Sequence, residues 1–157
     1  MTTNSRVKHH PPGGPPRTPE VLRICLLGGF WVSVGAKRTI QENEWRLKKA
    51  AALVKLLALA PRHRLHREQV RDLLWPELNI SKAANNLRYA LYKARRTLGG
   101  TSSAATCRFI QLGGELLELC PGALLWVDVE AFEEAAVSTR QPRRGGIRSG
   151  ERNLRDP

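Results

Sequence analysis

SKAANNLRYALYKARRTLGG, residues 81–100, is the stretch that most narrows what this chain can become. At about 100° per residue, Leu87, Leu91, Ala94, Leu98, Ala83 and Ala84 fall within about 60° of one direction. Lys82, Asn85, Tyr89, Tyr92, Lys93 and Arg96 fall within about 60° of the opposite direction, with Asn86 and Arg88 flanking them. The spacing predicts a helix over 81–98, capped by Ser81 and closed by Gly99. Two successive Asn are poor helix formers. A face kept only for solubility gains nothing from them, nor from two Tyr. Asn pairs bidentately with adenine in the major groove, and Arg or Lys with guanine. Lys, Arg and Tyr also bind phosphates, which fixes register without reading sequence.

The segments around this helix have their own periods. In VLRICLLGGFWVSVGAKRTI (21–40), Leu22, Ile24 and Leu26 alternate, as do Phe30, Val32 and Val34. These are strand patterns, with turns at Gly28-Gly29 and Gly35-Ala36 and a short third strand near Thr39. The glycine pair is no phosphate loop, because no GK[ST] follows it. EWRLKKAAALVKLLALAP (44–61) predicts a helix with Trp45, Leu53, Leu56, Leu57 and Ala60 inward, ended by Pro61. Arg46, Lys48 and Lys49 then sit in its first turns, where the helix field already repels cations, so an external anion is expected nearby. HREQVRDLLWPEL (66–78) predicts a short helix with Val70, Leu73 and Leu74 inward, stopped before Pro76. RFIQL (108–112) and ELLEL (115–119), joined by Gly113-Gly114, predict a hairpin, with Arg108 at its start. LLWVDV (124–129) predicts one more strand, and EAFEEAA (130–136) the start of a helix. The order is three strands, three helices, then a hairpin. That order predicts an α+β fold: a winged helix-turn-helix with an N-terminal antiparallel sheet, three helices and a C-terminal β-hairpin wing.

Charge follows the same division. Residues 45–108 hold 14 Lys/Arg against 3 Asp/Glu, a net of +11 within a chain total of +12. Residues 109–136 hold no Lys or Arg and 6 acids, a net of −6. A basic block on the strongest helical pattern points to a polyanion. Residues 1–20, with PPGGPP, and the Arg/Gly-rich segment 137–157 are expected to be disordered tails. The domain expected between them is 21–129, with 130–136 the start of a truncated helical activation domain. Cys25, Cys107 and Cys120 have no metal-type spacing and are read as reduced thiols of a cytoplasmic protein. No secretory signal is visible, and the apolar run at 50–60 is short and broken by Lys55, so no membrane is expected. His9-His10 in the Pro/Gly-rich tail is read as incidental. An enzyme is not expected. Glu130, Glu133 and Glu134 have no nearby His in the pattern, and His63 and His66 lack a carboxylate at ligand spacing. No cofactor is implied.

Taken together, LRICLLGGFWVSV, WRLKKAAALVKLLALAP, HRLHREQVRDLLWPEL, AANNLRYALYKARRTLG and LLWVDVEAFEEA resemble the OmpR/PhoB-type winged-helix DNA-binding domain. More narrowly they resemble the form found in SARP-type regulators that carry a bacterial transcriptional activation domain. The resemblance covers about residues 21–136. It implies that the 81–98 helix enters the major groove and that the wing at 108–119 meets backbone or minor groove. It also implies that the turn at 75–80 can touch RNA polymerase and that tandem protomers bind direct repeats. In that family VDVEAFEEA leads into a long helical activation domain; here it gives way to the Arg/Gly segment. The site residues expected are Lys82, Asn85, Asn86, Arg88, Tyr89, Tyr92, Lys93, Arg96, Arg46, Lys48, Lys49 and Arg108. The function expected is sequence-specific binding of double-stranded DNA for transcription control. Two rivals stay open: a nonspecific RNA or single-strand binder using the Arg/Gly tail, and a remnant acting through protein partners.

Overall fold

Alternating side chains build the first sheet of this computed structural model, which describes residues 21–36, 38–99, 109–122 and 124–140. Strands β1 (Val21–Cys25), β2 (Trp31–Val34) and β3 (Arg38–Gln41) are antiparallel neighbours, with Leu22 opposite Val34 and Val32 opposite Ile40. Leu22, Ile24, Val32 and Ile40 are fully buried on its inner face. Gly28 takes a φ of +79°, a conformation that costs glycine least, and lets the chain reverse where the double glycine predicted it.

The predicted sheet was antiparallel throughout; the observed one is mixed. Strand β7 (Leu124–Val127) lies parallel to β1 on its free edge, with Val21 opposite Leu124. It stops at Val127, short of the predicted Val129, and Asp128 is the reason. The Asp128 carboxylate turns back to accept from the Leu26 amide at 2.9 and 3.0 Å and from the Leu27 amide at 2.9 Å. It also starts helix α4 (Asp128–Arg140), at the end where a carboxylate is favoured. The helix begins two residues before the predicted 130 and runs four past the predicted limit of 136. Asp128→Ala strips both amides of their acceptor and is expected to cost about 2 kcal/mol, read as a lower urea midpoint.

Helix α1 (Lys48–Leu59) begins later than predicted. Glu42–Glu44 form a 3₁₀ turn held by the Gln41 amide on Glu44 Oε1 at 2.8 Å. Trp45 then dips into the core against Phe30, ring centroids 5.5 Å apart, so the helix can start only beyond it. Arg46 consequently lies outside α1, not in its first turn. After α1, Arg62 and His63 both take positive φ and turn the chain into β4 (Arg64–His66). This strand was not predicted, because three residues carry no readable period. It pairs with β6 (Leu116–Leu119), which pairs with β5 (Ile110–Gly113), so the predicted hairpin is part of a three-stranded sheet. Its turn is Gly114-Glu115, one residue later than expected, with Gly113 opposite Leu116.

Helix α2 (Arg67–Leu74) is capped by His66, whose Nδ1 accepts from the Glu68 amide, while the His66 amide donates to Gln69. Val70 and Leu74 are buried as predicted, but Leu73 points to solvent. Helix α3 (Ile80–Gly99) packs on α1. Its stripe Ala83, Leu87, Ala90, Leu91, Ala94 and Leu98 is buried, with Ala84 at the edge. Among the described residues, four α-helices and two small sheets thus make an α+β fold around one core running from Leu22 to Val127. Of the expected tails 1–20 and 137–157, residues 137–140 belong to α4 instead, and 1–20 and 141–157 lie outside the described residues, as do Arg108 and Cys107.

Candidate nucleic-acid interface

Helix α3 sets the geometry. Its first turn is capped by Asn79, not by the predicted Ser81: Asn79 Oδ1 accepts from the Lys82 amide at 2.9 Å, and the Asn79 carbonyl from Ala83 at 2.9 Å. Asn is as strong a cap as Ser, and here it comes two residues earlier. The helix has 20 residues and so spans about 30 Å. It carries five cations, Lys82, Arg88, Lys93, Arg95 and Arg96, and no acid.

The predicted outer face is exposed apart from the half-buried Lys93, and its side chains hold one another. Tyr89 is 54% and Tyr92 44% exposed, unusual for aromatic rings without a neighbour to cover them. Lys93 Nζ lies 5.2 Å from the Tyr89 ring centroid and 6.0 Å from that of Tyr92. Arg96 donates to the Tyr92 hydroxyl at 3.1 Å, and Arg88 to Asn85 Oδ1 at 2.7 Å. These partners are neutral, so the cations keep their charge for an outside anion. Lys82 and Asn86 are exposed beside them. Asn86 and Arg88 are not neighbours: they flank the face about 160° apart. Arg95, absent from the predicted set, is turned inward and donates to the Ile110 carbonyl at 3.0 Å, fastening β5 to α3.

The three cations expected in the first turns of α1, Arg46, Lys48 and Lys49, are all exposed and differ in their partners. Lys49 donates to the Leu74 carbonyl at 2.5 Å, with its ammonium 5.8 Å from the Trp75 ring centroid. It satisfies an open carbonyl at the negative end of α2. Its place at the start of α1 thus has a partner inside the molecule, the Leu74 carbonyl.

Folding also brings the acidic segment back onto the basic one. Arg64 meets Glu118 at 2.5 Å and Arg67 meets Glu115; within α2 itself, Arg71 lies 3.5 Å from Glu68. Glu118 and Glu115 therefore offset two of the +11 read along the sequence, at β4 and the start of α2, whereas the α3 cations have neutral partners. His63 Nε2 lies 3.3 Å from Glu130 Oε1, and its Nδ1 3.1 Å from the Ala58 carbonyl. The sequence placed no His near the Glu130 cluster; the fold supplies one, and the pair ties α4 to the turn after α1. Among the described residues no three His, Cys, Asp or Glu side chains gather to hold a metal, and no helix is long and apolar enough to cross a membrane.

Cys25 and Cys120 are buried. Burial first, then the hydrogen-bonded Asp128 carboxylate, push the Cys25 thiol above its ordinary range, against a smaller opposing pull from Arg23. The thiolate is the nucleophile, so iodoacetamide at pH 8 is expected to leave Cys25 unmodified in the folded chain. Peptide mass spectrometry reads this, with labelling recovered in urea.

Compared with family models, curated proteins and solved structures, the chain matches none of them.

Proposed function

We propose that this chain is a sequence-specific double-stranded DNA-binding regulator of transcription of the OmpR/PhoB winged-helix kind. In this reading α2 and α3 form the helix-turn-helix, α3 lies in the major groove, and the β5–β6 hairpin is the wing. One observation carries it: a 20-residue helix with five cations and no acid sets Asn85, Tyr89, Tyr92 and Arg96 in solvent opposite its buried stripe. A groove about 12 Å wide admits such a helix. The hairpin tip, Gly113-Gly114-Glu115, holds no cation, and its acid is paired with Arg67. The phosphate contacts are therefore assigned chiefly to α3. The exposed Leu78 and Ile80 of the 75–80 turn suit the contact with RNA polymerase that the family resemblance implies. Tandem protomers on direct repeats and a cytoplasmic location belong to the same proposal. The chain is assigned binding, not catalysis.

The test is fluorescence anisotropy of the purified chain with duplex from upstream of its own gene, with scrambled duplex and RNA beside it, across a salt series. Preference for the native duplex, with a log–log slope of about 0.9 per neutralised phosphate, supports the reading. Equal affinity for all three polyanions sinks it. Asn85→Ala with Asn86→Ala is expected to narrow the native-over-scrambled preference by about 1–3 kcal/mol per lost base contact.

A further inference from the structure

We propose that the notch between α2, α3 and the β5–β6 hairpin is a binding site for a small carboxylate with an apolar body, such as an aryl or short-chain acid. Its floor is Leu87, Leu91 and Leu117, all buried. Its volume is about 220 Å³. That exceeds the roughly 150 Å³ of an apolar void that takes up benzene, and falls below the roughly 300–1,000 Å³ of sites for drug-sized ligands. One ring or a short chain fits.

Three arginines line the notch around this apolar floor: Arg67 and Arg71 from α2, one turn apart, and Arg88 from α3. Arg67 is matched by Glu115. Arg71 is only 13% exposed, yet its carboxylate partner, Glu68, stays at 3.5 Å and is itself largely in solvent. Arg88 has the neutral Asn85 oxygen. One cation, Arg88, thus borders the leucine floor without a carboxylate, and Arg71 has only the longer 3.5 Å pair with Glu68. A guanidinium taken partly out of water gains most from a planar, bidentate anion, and the leucines favour an apolar group attached to it. A bare phosphate would satisfy the arginines and leave the floor unused.

The site is tested on the full chain by calorimetric titration with 4-phenylbutyrate, its neutral amide and inorganic phosphate. The acid is expected to bind with a Kd of about 0.1–1 mM, the amide at least about tenfold more weakly, and phosphate not measurably. Arg71→Gln is expected to weaken the acid by about tenfold or more. Ala84→Leu, at the rim, is expected to block it while leaving the circular-dichroism melt in place. Equal binding of acid and amide, unchanged binding by Arg71→Gln, or no binding at about 10 mM acid overturns the site. Phosphate binding as well as the acid also overturns it, and makes the arginines a backbone-phosphate clamp instead. Because Arg88 also belongs to the α3 face, the acid is expected to lower duplex affinity in the parent chain and not in Ala84→Leu. That coupling rests on the DNA reading above; a chain that binds the acid but no duplex overturns the DNA reading and leaves the site standing.

Discussion

Alanine at both Lys93 and Arg96 is expected to lower affinity for every duplex by about sixtyfold at 0.1 M salt, native and scrambled alike. Each cation that neutralises a phosphate contributes about 0.9 to the slope of log affinity on log salt. Between 1 M and 0.1 M that is about eightfold per contact, hence about sixtyfold for two. Neither residue is predicted to read a base in this arrangement. Lys93 rests on two tyrosine rings and Arg96 on a tyrosine hydroxyl, which hold both charges on the outer face without neutralising them. The salt slope should fall by about two, and the native-over-scrambled ratio should stay where it was. The asparagine pair is expected to do the reverse, changing the ratio and sparing the slope. If the double variant loses only the native duplex, or keeps its slope, these cations are not phosphate contacts.

The α3 face was legible because it depends on one period carried over five turns. A 100° rotation fixes both the buried stripe and what lies opposite it, and the exposed Asn, Tyr, Lys and Arg follow. The first sheet was legible for the same reason at a period of two, with glycine where the chain must reverse. What could not be read is set by contacts distant in sequence. Trp45 belongs to a helical stripe on paper, but its packing on Phe30 holds the chain away from helix until Lys48. β4 has three residues and is a strand only because β6 lies beside it. Asp128 reads as a strand residue until the Leu26 and Leu27 amides are seen to claim its carboxylate. Ser81 and Asn79 are both good caps, and only the path of the 75–80 turn decides between them.

The charge argument shows the same division. A one-dimensional count gave a basic block and an acidic block. The β4–β6 pairing lays Glu118 against Arg64, and the hairpin turn lays Glu115 against Arg67, so the count overstates the free charge of α2 and β4. It does not overstate that of α3, whose cations have neutral partners. The one-dimensional count holds for α3 in proportion to how little that helix interacts with the acidic segment.

Leu57→Ala is expected to destabilise the chain by about 2–5 kcal/mol, and Leu73→Ala by no more than about 0.5 kcal/mol. Both leucines were assigned to inward helical stripes, so the sequence gives them equal standing. The fold does not. Leu57 is 0% exposed on α1, within the core that joins α1 and α3 to both sheets. Truncating it removes apolar area that water cannot reach and leaves a cavity whose neighbours are held by several elements, so little collapse can offset the loss. Leu73 is 60% exposed. On α2 the inward direction is set by Val70 and Leu74, four residues apart, and Leu73 lies about 100° from Leu74 on the helix. An eight-residue helix makes barely two turns, too few for a stripe to be told from its neighbour by pattern. Urea denaturation of the two variants, with the parent slope retained, measures both values. A Leu73→Ala loss comparable to that of Leu57→Ala would place Leu73 in the core after all and require α2 to be rotated against α3.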